Sequence, residues 1–314
     1  MTIDHNQLKK NTARLSIISN TSLVILKLVV GVYSGSVSIV SEAAHSGVDL
    51  LAAMVAFYAV RKAGKPPDEQ HAYGHGKIEN LSAVIEAVLI IVAALWIVYE
   101  ALEKLTQATK PEYLEWGIVV MFISVIVNYW VSGQLYKVAR QTESAALEAD
   151  ALHLRADIWT SIGVLGGLAV IKLTGLYWLD PAIALAVAVV VFKAGFEMTK
   201  KGMYELTDVC WPAEEETELR EIVLQNPDTI SVHNVRTRRS GSWRLVDMHV
   251  TLKKNMQLEQ AHGVCDQLEA AIKERFGRCD VVIHLEPCDH HGKCIECPAA
   301  PQQCKEREQE PEHS

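Results

Sequence analysis

Two short patterns in this chain, His45-x3-Asp49 and His153-x3-Asp157, have the residue types and the spacing that suit a metal ion. Residues four apart share a helix face, so each pattern sets an imidazole beside a carboxylate. Both patterns lie in apolar stretches long enough to cross a bilayer. Two such helices face to face would offer two nitrogen and two oxygen donors, the number that a tetrahedral Zn2+ or a similar divalent ion wants. An ionisable side chain at membrane depth costs about 2.5–3.5 kcal/mol on insertion scales, so by default it marks a pathway or a site. One such pair could be polar residues snorkelling from helix ends. Two pairs with the same order and spacing argue for a shared role.

The elements that must position these groups are legible from hydropathy. The chain has 314 residues, 49% of them hydrophobic, and a mean hydropathy of +0.11. That average hides two halves: apolar runs up to about Tyr204, and a charged, soluble-looking segment after Asp208. Six helices are expected, at about Leu15–Tyr33, Val37–Tyr58, Ile78–Val98, Trp116–Tyr136, Ala145–Ile171 and, after Asp180 as N-cap and Pro181 at the first helical position, on to Lys200. Basic residues in the connections divide unevenly. Lys9, Lys10, Arg14, Arg61, Lys62, Lys65, Lys77, Lys137, Arg140, Lys200 and Lys201 fall on one side, against Lys104, Lys110 and Lys172 on the other. The positive-inside rule therefore puts both termini in the cytoplasm. The first dozen residues are polar and lack a cleavable signal pattern, so the first apolar run reads as a retained span.

The soluble segment reads α-β-β-α-β. A helix over Glu214–Leu224 precedes extended runs at Ile230–Arg238 and Arg244–Leu252 that are joined by Ser240-Gly241-Ser242; an amphipathic helix over Leu258–Phe276 and a strand at Val281–Leu285 follow. This order predicts a small α+β domain with helices on one face of an open sheet, like a ferredoxin-type metallochaperone. The domain plan is a cytoplasmic N-terminus (1–14), a six-helix transmembrane bundle (15–207), a cytoplasmic domain (208–288) and an acidic Cys/His tail (289–314). A net charge of −8, with no basic patch among aromatics, gives no signature of nucleic-acid binding. None of the seven cysteines precedes Cys210, and an odd count with a C-x-x-C motif fits reduced thiols.

Three further groups of donors stand out. Asp68-x2-His71-x3-His75, beside Gly74 and Gly76 in the loop after the second helix, can fold round one ion. His233, His249, His262, His284 and Glu286 lie on or near the strands and long helix of the soluble domain, and only a fold that gathers them would give them a common role. The tail holds Cys288, His290, His291, Cys294, Cys297 and Cys304, a density of thiolates and imidazoles that suits Zn2+, Cu+ or Cd2+. A disordered acidic terminus with idle cysteines explains the tail equally well.

The chain resembles the cation diffusion facilitator family, in particular the bacterial zinc and ferrous-iron efflux transporters. The resemblance covers nearly all of Leu15–Pro287. It is carried by Ser36-Val37-Ser38-Ile39, His71-x2-Tyr73-Gly74-His75-Gly76-Lys77, Ala149-Asp150-Ala151-Leu152-His153, Arg236-Thr237-Arg238 and Ile283-His284. It implies a homodimer in the bacterial inner membrane with a transport site of His45, Asp49, His153 and Asp157 in each protomer. It also implies a loop site of Asp68, His71 and His75, and a binuclear site of His233, His249, His262, His284 and Glu286 at the cytoplasmic dimer interface. Lys77 and Asp208 match a charge interlock between membrane and cytoplasmic parts. The chain departs from the pattern at position 45, His where close relatives often have Asp, as in zinc-selective members, and at position 286, Glu in place of Asp.

The resemblance implies export of divalent metal ions, Zn2+ first with Fe2+, Cd2+, Co2+ or Ni2+ tolerable, in exchange for protons by alternating access. Zn2+ would be both substrate and regulatory ligand, with no organic cofactor and no enzymatic activity. An intramembrane metalloenzyme would need an open coordination position and a general base, and no His-Glu-x-x-His motif occurs. A pure metal sensor would not need ionisable groups inside the bilayer. A metal-gated channel without proton coupling is the remaining alternative.

Overall fold

A computed structural model describes residues 5–34, 37–106, 115–174 and 179–288. The chain divides into two compact units, Met1–Thr207 and Asp208–Ser314. The first is a bundle of six helices: α1 (His5–Ser34), α2 (Val37–Ala63), α3 (Lys77–Thr106), α4 (Glu115–Thr142), α5 (Ala145–Thr174) and α6 (Leu179–Leu206). Among the described residues, five of these helices contain stretches long and apolar enough to cross a membrane: His5–Tyr33, Ala43–Ala63, Lys77–Glu103, Ile118–Thr142 and Pro181–Leu206. α5 packs against α2, α3, α4 and α6 and carries Glu148, Asp150, His153, Arg155 and Asp157 in its first half.

The bundle is organised for a solvent of lipid. Its outer surface carries Ile18, Ile25, Trp96, Phe122, Trp130 and Phe196, while Ser16, Asn20, Asn80, Ser82, Glu86, Asp150 and His153 are buried among Ala52, Ala53, Ala56, Ala83 and Ala87. In a bilayer the apolar side chains gain little by turning inward, so helices associate through small residues and buried polar contacts. The α3–α6 contact shows how close this packing is. A Cβ added at Gly202 would meet Val84 Cγ2 at 2.6 Å, and one at Gly195 would meet Ile91 Cγ1 at 2.9 Å.

α1 starts ten residues before the apolar run does, because polar contacts hold its first turns against the bundle. Lys9, 2% exposed, pairs with Glu79 at 2.8 Å, and Ser144 also donates to Glu79. α6 begins at Leu179, one residue before the expected N-cap, which leaves Pro181 in the first turn, where its missing N–H costs nothing.

The second unit contains α7 (Ala213–Leu224), β1 (Thr229–Ser240), β2 (Trp243–Leu252), α8 (Leu258–Phe276) and β3 (Cys279–Pro287). The sheet order is β1-β2-β3, with β1–β2 antiparallel and β2–β3 parallel. Gly241, at φ +58, takes the first central position of the two-residue β1–β2 turn, where glycine has no Cβ penalty. The parallel pair needs a crossover, and α8 supplies it. One sheet face, through Val232, Val246, Met248, Val250 and Val281, packs with Leu219, Val223, Val264, Leu268 and Ile272 of the two helices. Leu268→Ala, at a position 1% exposed, is expected to cost about 2–5 kcal/mol in urea unfolding of this domain. A loss below 1 kcal/mol would contradict this packing.

Candidate metal centres

α2 and α5 pack together and bring the two His-x3-Asp patterns to one place. Ligating atoms of His45, Asp49 and Asp157 all lie within 4.8 Å of one another. His153, 5% exposed, joins them through Nε2, 3.2 Å from Asp49 Oδ1. Asp157 Oδ2 is buried without a hydrogen-bond partner among the described residues, and burying a carboxylate oxygen unpaired is costly. Two imidazoles and two carboxylates on facing helices can close a four-donor shell round one cation. Lys27 of α1, 6% exposed, stands beside them with its ammonium donating to Ser46 Oγ at 2.7 Å.

The loop between α2 and α3 folds round Asp68. The backbone N–H of His71 donates to Asp68 Oδ1 at 2.8 Å, and His71 Nδ1 lies 3.1 Å from the same oxygen. His75 Nε2 is 3.3 Å from Asp68 Oδ2. The two rings stand 4.4 Å apart, and Gly74 makes the turn between them at φ +78. The backbone donation from His71 holds the Asp68 carboxyl below its ordinary range, so it is available as an anionic ligand.

In the second unit the strand register aligns three imidazoles. His233 pairs with His249 across β1–β2, and His249 with His284 across β2–β3, so all three share the face turned away from α7 and α8. A register shift follows His233 at once, with Asn234 at φ 49, so this residue ends the regular part of the row. Glu286, two residues beyond His284, reaches back over the row: Oε1 is 2.8 Å from His249 Nδ1, Oε2 is 3.1 Å from His233 Nε2, and His284 Nε2 is 3.9 Å from Oε1. The hydrogen bond with His249, and then the neighbouring imidazoles, holds the Glu286 carboxyl below its ordinary range. His233, His249 and Glu286 have ligating atoms within 4.8 Å of one another. His262 stands apart on α8, 74% exposed and 3.5 Å from Asp266.

Lys77 opens α3 and donates to the Leu206 carbonyl at 3.3 Å, while Asp208, at φ 60, receives Arg238 at 3.4 Å. Of the tail group only Cys288 lies among the described residues. It is buried, and its backbone N–H donates to the Leu252 carbonyl, continuing the β2–β3 edge. His290, His291, Cys294, Cys297 and Cys304 lie outside the described residues. The four described cysteines carry free thiols. Burial pushes that of Cys279 up to about 11, which suits a core residue and not a metal ligand.

Five buried ionisable groups lie outside the sites that the sequence indicates: Lys9, Lys27, Glu79, Glu86 and Asp150. Glu86 and Lys27 sat in plain view inside apolar runs, where any charge is a signal. Asp150 was noted only as part of a motif. Nothing in their spacing indicated how they would pair.

Residues 13–207 match the family model described as the cation efflux transmembrane domain, and residues 211–288 the one described as the cation efflux protein cytoplasmic domain. The chain is 34% identical over 284 residues to the transporter sll1263 of Synechocystis sp., with 90% of this chain and 92% of that one covered. It is 32% identical over 288 residues to the cation-efflux pump FieF of Cronobacter sakazakii, covering 92% and 96%. The FieF of Citrobacter koseri gives 31% over 284 residues, covering 90% and 94%.

Proposed function

This chain belongs to the cation efflux family, and from that premise we propose that it exports Zn2+ from the cytoplasm in exchange for protons. Efflux of divalent cations across a membrane is what the family match supports. The choice of Zn2+ and of protons rests on the quartet. The observation that carries it is the convergence of His45, Asp49 and Asp157 within 4.8 Å, with His153 bonded to Asp49, inside a bundle in which five helices, α2 among them, carry described stretches apolar enough to span a bilayer.

Two imidazoles and two carboxylates favour Zn2+ over Ca2+ and Mg2+, which want six or more oxygens, and admit Fe2+, Co2+, Ni2+ and Cd2+ less well. Binding requires neutral imidazoles and ionised carboxylates, so cation and protons compete for the same atoms. Moving two positive charges outward against an inside-negative potential costs about 4.6 kcal/mol per 100 mV, which an inward flow of protons can offset. The cation binds from the cytoplasmic side, and rocking of the helices opens the quartet to the other.

The basic residues near the ends of α2, α3, α4 and α6 support a bacterial inner-membrane protein with both termini in the cytoplasm. The open sheet face with His233, His249, His284 and Glu286 suits a second copy of the chain, so the protein works as a homodimer in which metal on that face reports cytoplasmic load. His262 would complete this site from outside the row. The Asp68, His71 and His75 loop is a further cation site. Metal binding by the Cys/His tail would extend buffering in the cytoplasm.

Reconstituted flux with a lumenal pH dye tests this reading, comparing Zn2+, Fe2+, Mn2+ and Cd2+ with and without a proton gradient. Zn2+ uptake should be fastest, should accelerate with the gradient and should move protons the other way. Metal movement indifferent to that gradient would favour a metal-gated channel.

A further inference from the structure

Glu86 of α3 and Asp150 of α5 are 0% and 1% exposed, stand on helices that pack on each other, and belong to none of the metal centres above. Glu86 Oε1 receives the Ser82 hydroxyl at 3.2 Å, but its Oε2 has no hydrogen-bond partner among the described residues. Both oxygens of Asp150 likewise lack one, although the Ser16 hydroxyl is close by. His153 Nδ1, on the ring edge away from the Asp49 bond, is also buried and unpartnered. Asp150 stands three residues before His153, so it lies about one helical turn nearer the start of α5 than the quartet does.

Two carboxyl groups buried in one packed interior, with unsatisfied oxygens and no cation of their own, are unfavourable when both are ionised. One proton held by the pair relieves that cost. The surrounding charges are engaged elsewhere. On α1, Lys9 pairs with Glu79 and Lys27 donates to Ser46. On α2, Asp49 bonds His153. On α6, Lys193 meets Glu197 at the exposed surface, Lys201 meets Glu148, and Glu205 meets Asn80. On α4, Arg140 is held by the Tyr136 hydroxyl. The groups whose charge reaches the pair are therefore His153 and Asp49, both members of the quartet.

From this we infer that Glu86 and Asp150 form a proton-holding carboxyl pair, separate from the metal ligands, that binds one proton while the quartet is empty and sheds it when a divalent cation arrives. The step is a simple transfer: the O–H bond of the shared proton breaks, the proton leaves to water on the side where α3 and α5 begin, and two carboxylates remain. The cation's two positive charges, in the same buried interior, favour that ionisation. One exchanged proton then comes from atoms that never touch the metal. This inference rests on the exchange reading above and adds a carrier to it.

The test uses the full chain in nanodiscs and in proteoliposomes, with Zn2+ as the probe. Protons released on Zn2+ binding are counted with a pH dye, and the count for the Asp49→Ala/Asp157→Ala protein is subtracted to remove other sites. Glu86→Gln and Asp150→Asn, whose neutral amides keep the shape, should each release about one proton fewer than wild type. By linkage their Zn2+ affinity at the quartet should fall by about tenfold at the pH where the proton is released, a deficit that closes at low pH as that of a lost ligand would not. Their flux should depend less steeply on pH, and Glu86→Asp, which keeps the carboxyl, should regain the wild-type count. Unchanged proton counts in both amide variants would overturn the pair, as would a loss of Zn2+ affinity that is the same at every pH. If the wild-type protein moves Zn2+ with no proton at all, the exchange reading itself falls, and the pair with it.

Discussion

Replacing Asp49 and Asp157 together with alanine is expected to abolish export and to lower Zn2+ affinity at the membrane site by at least about 100-fold, since loss of outer-shell partners alone costs 10–100-fold. The two aspartates supply both oxygen donors and all the negative charge of the quartet. Their removal leaves His45 and His153, one on each helix, and His153 loses the Asp49 oxygen that it meets at 3.2 Å. Two neutral imidazoles at membrane depth cannot offset the dehydration of a doubly charged ion. Isothermal titration and proteoliposome flux read the two effects separately. Zn2+ binding by the His233, His249 and Glu286 group should survive, because those residues belong to another unit. Export retained in the double variant would remove the quartet as the transport site.

The second large effect is on stability. Glu79→Ala takes the partner from Lys9 in a setting where both side chains are 3% exposed, and breaking a buried ion pair from one side costs about 3–5 kcal/mol. Ser144 loses its acceptor in the same change. The loss should appear in reversible unfolding in mixed detergent micelles as an earlier transition of the bundle, with the melting of the soluble domain unmoved. Replacing both partners by apolar residues of similar length, Lys9→Met with Glu79→Leu, should recover most of it, because no buried charge is then left uncompensated. If the double variant is as unstable as Glu79→Ala, the cost lies in packing and not in charge.

The sequence exposed the helices and strands because their periodicities reflect the solvent each element faces. Leu258–Phe276 was legible to the residue, since its apolar stripe packs on the sheet. The start of α1 was not, because His5–Arg14 is polar and its helix is held by Lys9 and Glu79, two residues far apart in the chain. The same distinction separates the sites. Asp68, His71 and His75 are local and could be grouped by spacing alone. His233, His249 and His284 form one row through strand register, and Glu86 with Asp150 through the packing of α3 on α5. Spacing carries no information about either.

The parallel pairing of β2 with β3 has a consequence for how the soluble domain matures. β1 and β2 are joined by a tight turn, so His233 and His249 can meet early, whereas His284 and Glu286 join only after α8 has docked and carried the chain back across the sheet. Closing that longer loop is the slower event. A newly made chain therefore brings two imidazoles together before it brings the carboxylate that reaches both.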